Sequence, residues 1–150
     1  MPPGPPGPPG PSGDDELAAR LRVAVTRLNR RLRQESMTGI SPSQEAALAA
    51  VKRLGRPTLG ELAQAEQVQP PSMTRVVAAM EAAGLIVRSG DEDDRRVTRV
   101  ELTPKGRTTL DRIRSLRTAY LARQIALLSP DERSRAEELA QLLERFVGSS

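Results

Sequence analysis

Residues Thr58–Lys105 read TLGELAQAEQVQPPSMTRVVAAMEAAGLIVRSGDEDDRRVTRVELTPK. Thr58-Leu59-Gly60-Glu61 sets a hydroxyl three residues ahead of a carboxylate, a capping box that opens a short helix to about Glu66. A second helix begins near Pro70, since proline suits a first helical position. It ends at Gly84, which suits a left-handed C-terminal cap. Leu85 to Arg88 and Val97 to Leu102 then read as strands. In the second, Thr98, Val100 and Leu102 alternate with Val97, Arg99 and Glu101. Ser89 to Arg96 link the strands as a polar tip. Helix, tight turn, helix and hairpin in that order spell a winged helix-turn-helix, which places one helix in the DNA major groove and a β-ribbon beside it.

Working outward, Ser41-Pro42-Ser43-Gln44 is another capping box. It opens a helix through Ala47, Leu48, Val51 and Leu54, stopped by Gly55 and Pro57. From Asp14 to about Glu35, Leu17, Leu21, Ala24, Val25, Leu28 and Leu32 fall on one helical stripe behind an acidic first turn. The arginines of that segment lie on its other faces, as a solvated surface or as phosphate contacts. Thr103-Pro104 starts a long helix carrying Leu110, Ile113, Leu116, Tyr120, Leu121, Ile125 and Leu128. Ser129-Pro130-Asp131-Glu132 caps a last one, whose face is Leu139, Leu142, Leu143, Phe146 and Val147. The expected organisation is a Pro/Gly-rich tail over 1–13, a winged helix-turn-helix over 37–103, and helical dimerisation segments over 14–36 and 104–147. The fold class is mainly α with a small β-hairpin wing. The flanking stripes exceed what a small central motif can cover, which predicts a homodimer; the alternative is an intramolecular bundle. The three Pro-Pro-Gly units of the tail are too few to hold a triple helix, and it reads as a disordered polyproline-like segment.

Composition removes several chemistries. The 150 residues include no cysteine and no histidine, so disulfides, thiol redox sensing, Cys/His zinc sites and His-based catalysis are all excluded. Aromatics make up only 1%, so the core must be Leu, Val, Ala and Met. Net charge is +4, which suits a polyanionic partner without demanding one. Lys52 and Lys105 are the only lysines. That skew to arginine fits both phosphate recognition and a GC-rich coding bias. No apolar run approaches about 18 residues and no leader is recognisable at the N-terminus, so the expected setting is cytoplasmic.

On the helix from Pro70, Met73, Val76, Val77 and Met80 recur at i, i+3, i+4, i+7 and must face the core. Pro71, Arg75, Ala78 and Ala79 lie opposite, with Ser72 and Thr74 on the flanks. Small residues permit close approach to base edges, and one arginine can grip guanine with two hydrogen bonds. The flanking hydroxyls and the N–H groups of the helix start can hold phosphates. At the tip, four acids (Asp91 to Asp94) precede Arg95 and Arg96, the wing's candidate DNA contacts. The acids lack the spaced ligands of a calcium loop. Asp94 instead sits two residues from Arg96, close enough across a turn to hold it extended, as a minor-groove probe or as an ordinary surface pair.

The stretches PSMTRVVAAMEAAGLIVR and DEDDRRVTRVELTPKG, in register with the SPSQEAAL helix start, resemble the MarR family of transcriptional regulators. The resemblance covers roughly Asp14 to Val147. It implies a homodimer with interleaved N- and C-terminal helices that represses at a palindromic operator and is released by a small molecule. It also implies that Asp94 and Arg96 form the wing's Asp-x-Arg pair, with Arg96 in the minor groove. Ser72, Thr74 and Arg75 match positions that meet DNA, and an effector cleft would lie between the dimer helices and the DNA-binding lobe. The absent cysteines remove the family's peroxide-sensing mode. With Tyr120 and Phe146 as the only rings, a stacked aromatic effector site has little to work with. No cofactor is implied. Two other readings remain open: a winged-helix module that binds protein instead of DNA, and a small enzyme using the Asp91–Asp94 carboxylates. The lack of His, Cys and a phosphate-cradling glycine loop speaks against the enzyme.

Overall fold

The computed structural model describes residues 12–91, 94 and 96–148. In chain order the elements are α1 (Gly13–Glu35), α2 (Pro42–Leu54), α3 (Leu59–Ala65), α4 (Pro70–Ala82), β1 (Ile86–Gly90), β2 (Thr98–Leu102), α5 (Pro104–Ile125) and α6 (Pro130–Val147). Two compact units result, one ending at Glu35 and one from Ser36 onward. The first is α1, which starts where Ser12 and Asp15 exchange hydrogen bonds and buries none of its residues.

The second unit is built on its caps. Reciprocal capping boxes at Ser41/Gln44, Thr58/Glu61 and Ser129/Glu132 start α2, α3 and α6, and the Thr103 hydroxyl starts α5. In each box the carboxylate or amide accepts the N-cap N–H, which satisfies donors a helix start would leave free. Those bonds also hold the carboxyls of Glu61 and Glu132 below the usual carboxylate range, the backbone N–H of the capping residue being the main cause. α4 ends as expected: Gly84 sits at φ 72°, with the Gly84 N–H on the Glu81 carbonyl and the Leu85 N–H on that of Met80.

α2, α3 and α4 close over one apolar cluster in which Leu48, Val51, Leu62, Val77 and Met80 are fully buried. The hairpin adds Leu85, Ile86, Val100 and Leu102, and α5 packs Leu110 against it. Near the start of α5, a Cβ on Gly106 would run into the Leu85 carbonyl oxygen, so that approach requires glycine. Leu54, expected on the buried stripe of α2, is instead 46% exposed, because the helix ends there at Gly55.

The hairpin is antiparallel, pairing Ile86 with Leu102 and Gly90 with Thr98. β1 therefore runs two residues beyond the expected Arg88, since Ser89 and Gly90 find ladder partners in Arg99 and Thr98. Sequence reading also missed a further bridge. Thr58 pairs with Arg99, and the Val100 N–H bonds to the Pro57 carbonyl at 2.9 Å, which stitches the hairpin to the α2–α3 connector.

Candidate nucleic-acid interface

α4 divides into two faces as its periodicity dictates. Met73, Val77 and Met80 are buried and Val76 packs against them, while Pro71, Thr74, Arg75, Ala78 and Ala79 are exposed. Around Arg75 the outer face is thus low enough to lie against another surface. Ser72 is half-buried and lines a small groove toward Ala46 and Val68. The Thr74 hydroxyl donates back to the Pro70 carbonyl at 3.0 Å. The free N–H groups expected at the helix start are missing. Pro70 and Pro71 have no N–H, and the Ser72 N–H turns to the Gln69 carbonyl at 2.9 Å, so the start of α4 is not the cluster of free donors that would hold a phosphate.

Beside α4 stands the wing. The Val97 N–H bonds to the Asp94 carbonyl, and the Asp91 N–H bonds to the Val97 carbonyl, each at 2.9 Å. Asp94 and Arg96 do pair: Oδ1 of Asp94 accepts from the Arg96 N–H at 3.0 Å and from its Nε at 3.2 Å. The Arg96 side chain is nonetheless 91% exposed, an aimed cation in open solvent. Arg95, the other wing candidate, lies outside the described residues.

The residues that hold this wing escaped sequence reading. The Arg99 guanidinium binds the Asp91 carboxylate and the Arg56 carbonyl, the latter at 2.9 Å. Arg56 in turn pairs with Glu101 at 2.6 Å and donates to the Ser89 hydroxyl. Where β1 passes α4, Arg88 grips Glu81 through Nε and a terminal nitrogen. That hydrogen bonding, with the charge behind it, keeps the Glu81 carboxyl below the usual range and raises Arg88. The one sequence signal was alternation, which put Arg99 and Glu101 on the strand face opposite Val100.

Farther from the wing, Arg117 of α5 makes a two-pronged bond to Glu45 of α2, both prongs at 2.7 Å, and donates to the buried Ser36 at 2.9 Å. This clasp borders a cleft of about 560 Å³ between α2 and α5, lined by Leu110, Ile113 and Leu121 and by the cations Lys52, Arg53 and Arg114.

A helix with a low outer face beside a braced, cation-tipped hairpin is the pattern of a winged helix-turn-helix, and comparison with known proteins agrees. The MarR family model matches residues 40–98. An HTH-type transcriptional regulator of Mycobacterium bovis is 36% identical over 138 residues, 91% of this chain and 96% of that protein. The chain belongs to the MarR family. The HTH-type transcriptional repressor MdtR of Bacillus subtilis is 26% identical to this MarR-family chain over 134 residues, 86% of each. A crystal structure of a putative transcriptional regulator from Pseudomonas aeruginosa superposes with TM-score 0.82 at 37% identity, covering 93% of this chain and all of that one. This MarR-family chain is accordingly a winged-helix transcriptional regulator. No helix among the described residues is long and apolar enough to cross a membrane.

Proposed function

We propose that this regulator is a repressor that binds a palindromic operator as a homodimer and is released by a small molecule. The observation that carries the reading is the exposed Pro71, Arg75, Ala78 and Ala79 face of α4 standing beside a wing that offers Arg96. Arg75 reads a base edge, Ser72 and Thr74 flank it, and Arg96, with Arg95 next to it, enters the minor groove with Asp94 behind. The outer face of α4 has no large apolar side chain, which favours DNA over a protein partner. The repressor MdtR, similar along most of its length, supports the direction of regulation.

Dimerisation follows from surfaces that stay uncovered. α1 and α6 bury nothing, and Leu17, Leu28, Leu139, Leu142 and Phe146 are exposed. A second copy covers such stripes and sets two recognition helices about one DNA turn apart, roughly 34 Å. For release, the cleft between α2 and α5 combines an apolar lining with Arg53 and Arg114, Lys52 being paired with Asp111 at 3.0 Å, which suits an anionic amphiphile. A ligand that prefers the non-binding spacing shifts the population by its differential affinity.

The test is to select genomic fragments with the purified protein and ask whether they share a palindrome. On the best fragment, Arg75→Ala should cost about 1–3 kcal/mol and relax preference at one base pair. Unchanged sequence preference would remove Arg75 from base readout. Arg96→Ala should weaken binding and leave the melting temperature nearly unaltered.

A further inference from the structure

The wing tip and the helix-turn-helix are joined by a continuous line of side-chain hydrogen bonds. It starts at the Arg56 carbonyl in the α2–α3 connector, which accepts from Arg99 at 2.9 Å. Arg99 Nε donates to Oδ2 of Asp91. The other oxygen of the same carboxylate, Oδ1, accepts the Asp94 N–H at 3.3 Å. Asp94 then accepts from the Arg96 N–H and Nε. A second terminus leads to α3, since Arg99 lies 3.9 Å from the Glu61 carboxylate that caps that helix.

Exposure along this line is graded. The side chain of Asp91 is 12% exposed, that of Arg99 32%, that of Asp94 44% and that of Arg96 91%. The inner pair is therefore shielded and holds its geometry, whereas the outer pair on its own is the exposed kind that contributes little. An exposed arginine on a turn loses side-chain entropy when DNA fixes it, and a tip held from behind has less to lose.

We propose that Asp91 and Arg99 are positioning residues that hold Arg96 at a set reach from the helix-turn-helix, through the relay Arg99–Asp91–Asp94–Arg96. The proposal rests on Arg96 being a DNA contact, as read above, and adds two residues that touch no DNA. It carries a sign that simple electrostatics does not. Removing an acid near DNA lowers repulsion from phosphate, so Asp91→Asn and Asp91→Ala would tighten binding if Asp91 acted only by its charge. As a positioning residue, its loss weakens binding instead.

The experiment uses the full-length protein and the best fragment from genomic selection, with affinity read by fluorescence anisotropy and folding by thermal melting. Asp91→Ala and Arg99→Ala should each weaken binding roughly tenfold, the scale of one lost arginine contact, with Asp91→Asn between them and wild type. Arg99→Lys, which keeps a cation for Asp91, should recover part of the loss and guards against a variant that fails to fold. In a double-mutant cycle, Asp91→Ala combined with Arg96→Ala should bind about as weakly as Arg96→Ala alone. Tighter binding by Asp91→Ala, or losses that multiply in the double variant, would overturn the relay while leaving Arg96 as a contact. An inert Arg96→Ala would instead remove the underlying reading of the wing tip, and the relay with it.

Discussion

The winged lobe and the two helices α1 and α6 draw on the same apolar residues and end differently. In the lobe, leucines at 48 and 62 are wholly buried; on α6, Leu139 and Leu142 remain 45% and 38% exposed, and on α1 Leu17 is 61% exposed. All of them sit on helical stripes behind good caps. An apolar stripe states that a helix must be covered, and nothing in it names the cover. In the lobe, short connectors return α3, α4 and the hairpin onto α2, so the cover comes from the same chain. The stripe of α6 has no such return, and α1 is a compact unit of its own.

The sharpest way to break this contrast is at α6. Replacing Leu142 and Phe146 together by Glu should dissociate the proposed dimer, because each such side chain is worth about 1.5–3 kcal/mol when covered and every loss occurs in both copies. Light scattering would show a halved mass, and an unaltered mass would place the interface elsewhere. Within the lobe, Leu48→Ala should cost about 2–5 kcal/mol by denaturant unfolding, as befits a fully buried leucine. A smaller cost would mean that the lobe is packed no better than the helices. Next comes the clasp between α2 and α5. Arg117→Ala leaves Glu45 and the buried Ser36 without the guanidinium and should cost about 1–3 kcal/mol. Calorimetry with and without the substitution would measure it.

The smallest effect is a pH dependence. Arg88 holds the folded-state Glu81 carboxyl below its ordinary value, so the unfolded chain binds a proton there first. The stabilisation is complete above the usual carboxylate range and fades as pH falls through the lowered folded value. Glu81→Gln should therefore melt slightly lower at neutral pH and lose less on acidification. Melting curves of the two proteins that run parallel into acid would refute the pairing.

Much of the lobe could be read in advance because its signals are local. Three capping boxes, Thr103 and Gly84 announce themselves within a few residues, and the inner face of α4 follows from periodicity alone. The outer face of α4 and the Asp94–Arg96 pair, two residues apart, were legible for the same reason. What stayed hidden is what depends on distant partners. The Thr58–Arg99 bridge that ties the connector to the hairpin joins residues far apart in sequence. Asp91 was read only as part of an acidic run with no role of its own, yet it alone of the described tip acids meets Arg99. Conversely, free N–H groups at the start of α4 were expected from position, and the two prolines and the turn of Ser72 remove them.

For this chain, the order and ends of the helices, the buried side of α4 and the winged motif were settled by spacing, since caps and periodicities act over one or two turns. Only the tertiary structure decided which cations are tied into the lobe and which reach into solvent. Arg99 and Arg117 find carboxylates brought to them by other elements, while Arg96 is left outward with Asp94 behind it. Charge in a sequence has no direction until packing brings its counter-charges near, and that placement gives this wing one guanidinium to brace it and another at its tip.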